Sequence, residues 1–129
     1  METSVDLLKI EDDGAGGSRF ATITVNQHQA NVGGVPVLVT DPFQAQSVVF
    51  LDGPANSPQS SPHPAPSRQL VVVLDGEAEV LDSHGRTERF GSGDVLLAED
   101  THGRHINRLI QGPLQAIVID LPAGQPDPS

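Results

Sequence analysis

The chain has 129 residues, which fits one compact domain. Seven lysines and arginines against 17 aspartates and glutamates give a formal net charge of −10. That charge argues against nucleic acid or an anionic membrane as a partner, because binding to phosphate relies on clustered basic residues. The absence of cysteine excludes disulfides, thiolate metal ligands and a cysteine nucleophile. The acidic start, METSVDLLKIEDD, resembles neither a signal peptide nor a spanning helix, so we expect a cytoplasmic protein.

The order of the segments predicts a β-rich domain. Residues 1–13 are expected to precede it, and the glycines within 12–18 predict a loop into the first strand. No long segment keeps a helical period, whereas short alternating or β-branched runs recur. Nine strands are predicted, at Ser18–Asn26, Val35–Thr40, Gln44–Leu51, Gln69–Leu74, Glu77–Asp82, Arg86–Phe90, Asp94–Glu99, Ile106–Ile110 and Leu114–Leu121.

Turn residues separate these strands. Ser83–Gly85 predicts the tip of a hairpin, at which Gly85 takes a positive φ, and Gly91–Asp94 predicts a second turn. The proline-rich segment Gly53–Ser67 is a surface loop or an edge crossing, and residues 123–129 are expected to form a flexible tail. Many short strands at this spacing predict an all-β sandwich or barrel.

Histidines are the first candidates for chemistry, and the chain has five. His28 lies in a polar loop and His84 at the hairpin tip, so we interpret both as solvated turn residues. His63 and His105 each lie beside a predicted strand. Because imidazole exchanges protons near neutral pH, either side chain could act as a general acid or base.

Two segments, HPAPSRQLVVVLDGEAEV (63–80) and FGSGDVLLAED (90–100), resemble the two motifs of the cupin superfamily, especially those of small single-domain bacterial cupins. The positions that match are His63, Ala65, Gln69 and Gly76 in the first motif and Gly93, Asp94 and His105 in the second. The resemblance covers most of residues 14–122. It implies a single-domain cupin jelly-roll β-barrel of two antiparallel sheets over that range.

The resemblance also implies a metal site of three histidines and a carboxylate, from which this chain departs. Ala65 replaces one histidine and Gln69 replaces the carboxylate. The ligands that stay at matching positions are His63, Gln69 and His105. His102 would complete a three-imidazole site for Zn, Ni, Cu or Fe, but the turn here leaves open whether His102 or His105 faces the cavity. We therefore treat a divalent metal as optional.

A catalytic group without metal follows from the same positions. His63 or His105 would move a proton, while Gln69 would orient or polarise a substrate carbonyl. Strand alternation puts Val71 and Val73 on the same face as Gln69, where they would form the apolar wall of the pocket. The other predicted substrate-binding residues are Arg68 and Arg104, which could hold an anionic group, and His102 at the rim; Arg104 alternatively pairs with Glu99 or Asp100.

Three functions compete. The first is a small-molecule isomerase, cyclase or lyase that acts in an apolar barrel pocket. The second is a metal-dependent cupin oxygenase, against which the missing carboxylate argues. The third is a non-catalytic ligand-binding or sensor module, although this chain shows no DNA-binding or signalling segment. We favour the first, and we expect a homodimer because the strand Gln69–Leu74 is apolar on both faces.

Overall fold

The computed structural model describes residues 3–124 and residue 128, and it contains eight strands and no helix in that part of the chain. Strands account for 62% of it, which confirms the all-β prediction. The expected flexible tail falls largely on residues 125–127 and 129, outside the described residues. The strands are β1 (Ser4–Asp12), β2 (Ser18–Val32), β3 (Val35–Thr40), β4 (Ser47–Gly53), β5 (Gln69–Leu81), β6 (Thr87–Phe90), β7 (Val95–Glu99) and β8 (Ile106–Asp120).

The strands form one mixed, open sheet. Its order is β3-β2-β1-β7-β5-β8-β4, with β6 paired to β5 beside this path. Strands β1 and β7 run parallel, and the other pairs run antiparallel. Hydrogen bonds therefore link the eight strands into a single mixed sheet, and the jelly-roll barrel of two antiparallel sheets stays a prediction. Strand β1 lies between β2 and β7, and it makes the sheet mixed because it runs parallel to β7.

Strand β1 itself is absent from the sequence prediction, which places residues 1–13 ahead of the domain. Its adjacent leucines, Leu7 and Leu8, break the apolar alternation that identifies a half-buried strand. The strand nevertheless has a partner on each side, and Ile10 at its centre is fully buried. The sheet thus begins before residue 14.

Two pairs of predicted strands are continuous in the structure. The runs 69–74 and 77–82 join into β5, and the runs 106–110 and 114–121 join into β8. Between them the register of β5 against β8 shifts around Gly76, whose φ is +84°. A Cβ at Gly76 would lie 2.6 Å from the carbonyl oxygen of Pro113. The glycine therefore marks a bulge within a strand and not a break between two.

The predicted turns are confirmed. At the hairpin tip Leu81 pairs with Thr87, and Gly85 has a φ of +81°. In the next turn the Asp94 amide donates to the Gly91 carbonyl at 3.0 Å, and the Gly91 amide donates to the Asp94 carboxylate at 2.8 Å. The proline-rich segment forms a loop whose one strand-like contact is an isolated bridge at His63.

The buried core is formed by residues of strands β1, β2, β5, β6 and β7, together with Ala65 of this loop. It consists of Ile10, Phe20, Ala65, Val73, Val80, Phe90, Leu96 and Ala98. Apolar side chains also stay exposed, most of all on the edge strand β4, where Phe50 is 76% exposed, and at Leu74 on β5. The homodimer stays a prediction. None of the residues described belongs to a helix long and apolar enough to cross a membrane.

Candidate functional site

The sheet and the proline-rich loop enclose a cavity of about 450 Å³. Its lining combines four polar side chains with fourteen apolar residues and includes no Lys, Arg, Asp or Glu. The polar ones are His63, Gln69, His105 and Asn107. The apolar ones are Val49, Leu51, Ala65, Pro66, Val71, Val73, Ala78, Val80, Phe90, Leu96, Ala98, Leu114, Ala116 and Val118. A cavity of this kind suits a small organic ligand.

Strand alternation places one row of β5 in this cavity. Gln69, Val71 and Val73 all line it, as their spacing predicts. The intervening Leu70 and Val72 do not line it. The amide nitrogen of Gln69 donates to the Ser67 hydroxyl at 3.3 Å, which holds the side chain near the loop.

His63 and His105 meet across the mouth of the cavity. Their backbones exchange two hydrogen bonds, with N···O distances of 3.0 and 2.9 Å. The ring centroids lie 4.5 Å apart, and the ring planes are inclined by 55°. The two histidines that the sequence pairs are therefore neighbours, although one precedes β5 and the other precedes β8.

Hydrogen bonding fixes the tautomer of neutral His63. Its Nδ1 lies 2.9 Å from the carbonyl oxygen of Ser61, and a carbonyl only accepts, so Nδ1 carries the hydrogen. Nε2 is then the acceptor nitrogen, and the amide nitrogen of Asn107 lies 3.4 Å from it. This network also orients the Asn107 amide, with its NH₂ group toward His63.

His105 is held from behind by a buried carboxylate. Its Nδ1 donates to Asp100 Oδ2 at 2.5 Å, and the hydroxyl of Ser18 donates to the same oxygen at 2.6 Å. Asp100 and Ser18 are fully buried, and His105 is 7% exposed. The backbone amide of Arg104 donates to the Ser18 hydroxyl at 2.7 Å, so the hydroxyl is itself oriented. With Nδ1 engaged, Nε2 is the nitrogen of His105 that is left for chemistry.

Sequence reasoning missed the place of Asp100 in the site, since it named this residue only as an alternative partner of Arg104. The available signal is a tight turn: the Gly103 amide donates to the Asp100 carbonyl at 3.0 Å, which brings residues 100 and 105 together. The second carboxylate oxygen, Oδ1, is buried and has no hydrogen-bond partner among the described residues. Among the described residues, the Asp100 side chain is therefore held by two hydrogen bonds, from Ser18 and from His105, and loss of either would leave a buried polar group less satisfied.

His102 does not join the site. Its side chain is 88% exposed and lies 3.5 Å from the Asp12 carboxylate, and its amide also donates to Asp12. The same tight turn explains this result, because it directs residues 102 and 105 to opposite sides of the chain. His105, not His102, faces the cavity. The expectation of His102 at the rim, or as a metal ligand, is corrected.

The two arginines expected to hold an anionic group lie outside the cavity as well. Arg68 pairs through Nε with Glu99 at 2.6 Å, and Glu99 also accepts from Lys9 at 3.2 Å. Arg104 contributes its backbone, and not its guanidinium, to the hydrogen bonds around Ser18. Neither arginine lines the cavity, although each directly precedes a residue that does, Gln69 or His105.

A divalent metal does not fit the donor set. Within residues 3–124 and 128, no group of three or more His, Cys, Asp or Glu side chains could hold a metal ion. The cavity offers two imidazoles and two neutral amides, with no carboxylate or third imidazole facing it. The carboxylate nearest to it, that of Asp100, is engaged with Nδ1 of His105.

A second set of hydrogen bonds joins the backbone at Ser18 to the hairpin tip and to Arg104. The Ser83 hydroxyl at the hairpin tip accepts from the Ser18 amide at 2.9 Å and donates to the Arg104 carbonyl at 2.8 Å. Beside it, backbone amides of Ala15 and Gly17, together with His84, hold the pKa of Asp13 below its ordinary value. Three loops therefore converge on the residues behind His105.

No model of a known protein family matches the chain, and no curated protein matches it either. The functional assignment accordingly rests on the residues of the site.

Proposed function

We propose that this chain is a cupin-fold small-molecule enzyme of the isomerase, cyclase or lyase type, in which His105 is the general base. The observation that carries the proposal is the Asp100–His105 pair, buried behind an apolar cavity into which His105 is directed. A carboxylate that binds Nδ1–H holds an imidazole in one tautomer and orientation, with Nε2 ready to accept a proton.

The chemistry follows from the groups around that nitrogen. Nε2 of His105 would remove a proton from a carbon beside a substrate carbonyl, and Asp100 would stabilise the positive charge that the ring acquires. The Gln69 amide, on the same cavity, would polarise the carbonyl oxygen. Return of the proton to another carbon gives an isomer, attack of the enolate on an internal electrophile gives a ring, and loss of a leaving group gives an alkene.

The cupin assignment within this proposal draws on the motif positions. The resemblance expects His63 and His105 to lie together, and their backbones pair directly. It also expects an inward-facing residue six positions after His63, and Gln69 lines the cavity beside both histidines. A metal-dependent oxygenase is less well supported, because the cavity lacks the carboxylate of a facial triad.

The proposal is tested by proton exchange, which needs no knowledge of the final product. A panel of neutral ketones is incubated with the protein in D₂O, and deuterium at the carbon beside the carbonyl is followed by NMR. His105→Asn keeps an amide donor for Asp100 but removes Nε2, so we expect the exchange rate to fall about 10²–10⁴-fold. The matched control is His102→Asn, which changes an exposed histidine outside the cavity.

Two outcomes would contradict the proposal. Equal exchange rates for His105→Asn and the wild type would remove His105 from the chemistry. Ligand binding by the wild type without any exchange would favour the alternative of a non-catalytic binding module, which the apolar cavity would serve equally well. Thermal unfolding of each variant shows whether the fold is retained.

A further inference from the structure

We infer that the cavity selects a neutral, largely apolar compound with one carbonyl group, and that Asn107 is a second donor to the carbonyl oxygen, beside Gln69. The inference deepens the proposed function by naming a substrate class and a specificity residue for the same cavity. It rests on the proposed function only for the position of the reacting carbon next to His105.

The charge distribution disfavours an anion. The eighteen lining residues include no Lys, Arg, Asp or Glu, and the chain as a whole has a formal net charge of −10. The arginine nearest in sequence to Gln69 pairs with Glu99 outside the cavity. An anionic ligand would therefore lose its hydration without gaining a Lys or Arg counter-charge, which is costly in an apolar site.

The size of the cavity sets the size of the ligand. A volume of about 450 Å³ corresponds to the space of ~15 water molecules at ~30 Å³ each. A compound with about as many non-hydrogen atoms, such as a bicyclic ketone, would fill it. The apolar residues on strands β4 to β8 would contact most of such a skeleton, and polar contacts would be confined to the histidine end.

Asn107 offers a donor at that end. Because His63 Nε2 is an acceptor, the Asn107 amide presents its NH₂ group toward the histidines, at 3.4 Å from Nε2. The same nitrogen carries a second hydrogen, and the residue lies two positions after His105 on the cavity lining. A carbonyl oxygen bound there would place its neighbouring carbon close to His105. Asn107 is a neutral donor, so it recognises a carbonyl without requiring a charge.

The test compares three naphthalene probes of the same non-hydrogen atom count: 2-acetylnaphthalene, 2-naphthoate and 2-isopropylnaphthalene. Each is titrated into the wild type and followed by NMR at the methyl groups of Val71, Val73 and Val118. We expect the ketone to bind about tenfold more tightly than the carboxylate, which meets no Lys or Arg in the cavity. Asn107→Leu should lower the ratio of ketone to hydrocarbon affinity about three- to tenfold. Asn31→Leu, an exposed asparagine on β2, is the matched control.

Three results would overturn the inference: carboxylate binding as tight as ketone binding, an affinity ratio unchanged in Asn107→Leu, or no shift of any cavity methyl with any probe. The proposed function fails separately. If the probes bind in the expected order while the wild type exchanges no proton, the result supports the inferred ligand class and contradicts the proposed enzymatic activity. If the wild type exchanges the protons of the ketones while 2-naphthoate binds as tightly as 2-acetylnaphthalene, the proposed enzyme is supported and the ligand class is wrong.

Discussion

The cavity has two sides that are built in different ways. One side is formed by β7, which has β1 and β5 as neighbours, and its Leu96 and Ala98 are buried. The other is formed by β4, which pairs only with β8, and its Val49 and Leu51 are 55% and 41% exposed. We call these the β7 side and the β4 side. His105 and Asp100 lie at the end of the β7 side, so the groups proposed for chemistry belong to the well-packed part of the molecule.

This difference in packing between the β7 side and the β4 side corresponds to two requirements of a binding site, fixed chemical groups and access for the ligand. Groups that move protons need fixed positions, and packing on both sides of a strand supplies them. A ligand also needs a way in, and an edge strand with exposed side chains is the part of a sheet that opens at least cost. We therefore expect substitutions on the β7 side to affect folding and chemistry together, and those on the β4 side to affect ligand entry alone.

The largest expected contrast in stability is between two phenylalanines. Phe90, next to the β7 side, is 5% exposed and belongs to the core, whereas Phe50 on β4 is 76% exposed. Phe90→Ala should lower the free energy of unfolding by about 3–5 kcal/mol, because it removes buried apolar surface and leaves a void. Phe50→Ala should change it by less than ~0.5 kcal/mol in the isolated chain. Urea unfolding of both variants measures the two values.

A large loss for Phe50→Ala that grows with protein concentration would instead show that β4 is covered by a second copy. That result would support the predicted homodimer and would place its interface at the edge strand. A small loss for Phe90→Ala would mean that the core does not extend to the cavity, and the distinction between the two sides would be wrong.

Two glycines give a smaller contrast. A Cβ at Gly103 would collide with the Ser18 hydroxyl and lie 2.8 Å from the Gly17 carbonyl oxygen. Gly103→Ala should therefore cost about 1–3 kcal/mol, and it should displace Ser18 from Asp100. At Gly53, on β4, a Cβ would make an ordinary 3.4 Å contact with Leu114, so Gly53→Ala should stay within ~0.5 kcal/mol.

The readout that links Gly103 to the site is the His105 ring. Its NMR signals should shift in Gly103→Ala and stay in place in Gly53→Ala, because only the first substitution disturbs the contacts behind the ring. Equal stability losses in the two variants would show that the region around Ser18 adjusts without cost, and that the hydrogen bonds to Asp100 are not maintained by close packing.

Most of the strands could be predicted from the sequence because their patterns are local. Val35–Thr40 is found with the predicted bounds, and the hairpin at Ser83–Gly85 is found with its glycine at positive φ. The prediction failed where a strand depends on partners distant in the chain. Strand β1 has no clear alternation of its own, and its pairing with β7 joins residues that are far apart in sequence. The break expected within β5 is a bulge that β8 completes.

The site, like the strands, could be predicted from the sequence only where the pattern is local or the resemblance supplies it. Alternation alone places Gln69, Val71 and Val73 on one face, and the cupin resemblance pairs His63 with His105. Neither argument identifies Asp100 or Asn107. Asp100 comes into contact with His105 only through the tight turn at Gly103, and Asn107 is oriented only by the tautomer of His63. Side-chain hydrogen bonds of this kind depend on three-dimensional contacts that strand periods do not encode.

The smallest expected effect concerns the loop that covers Ser18, and it depends on pH. Hydrogen bonds from the Ala15 and Gly17 amides, and then from His84, lower the pKa of Asp13 from its ordinary value of 3.8. A carboxyl group with a lowered pKa in the folded state stabilises the fold above its ordinary pKa, and that contribution is lost as the pH falls toward the lowered value.

Asp13→Asn should therefore reduce the loss of stability seen on acidification, measured by urea unfolding from about pH 7 to about pH 2.5. His84→Gln keeps both backbone donors, which are the larger cause, so its acid profile should stay closer to that of the wild type. Identical acid profiles for Asp13→Asn and the wild type would show that the loop does not hold this carboxylate in solution, and the β7 side would then lack one of its covering contacts.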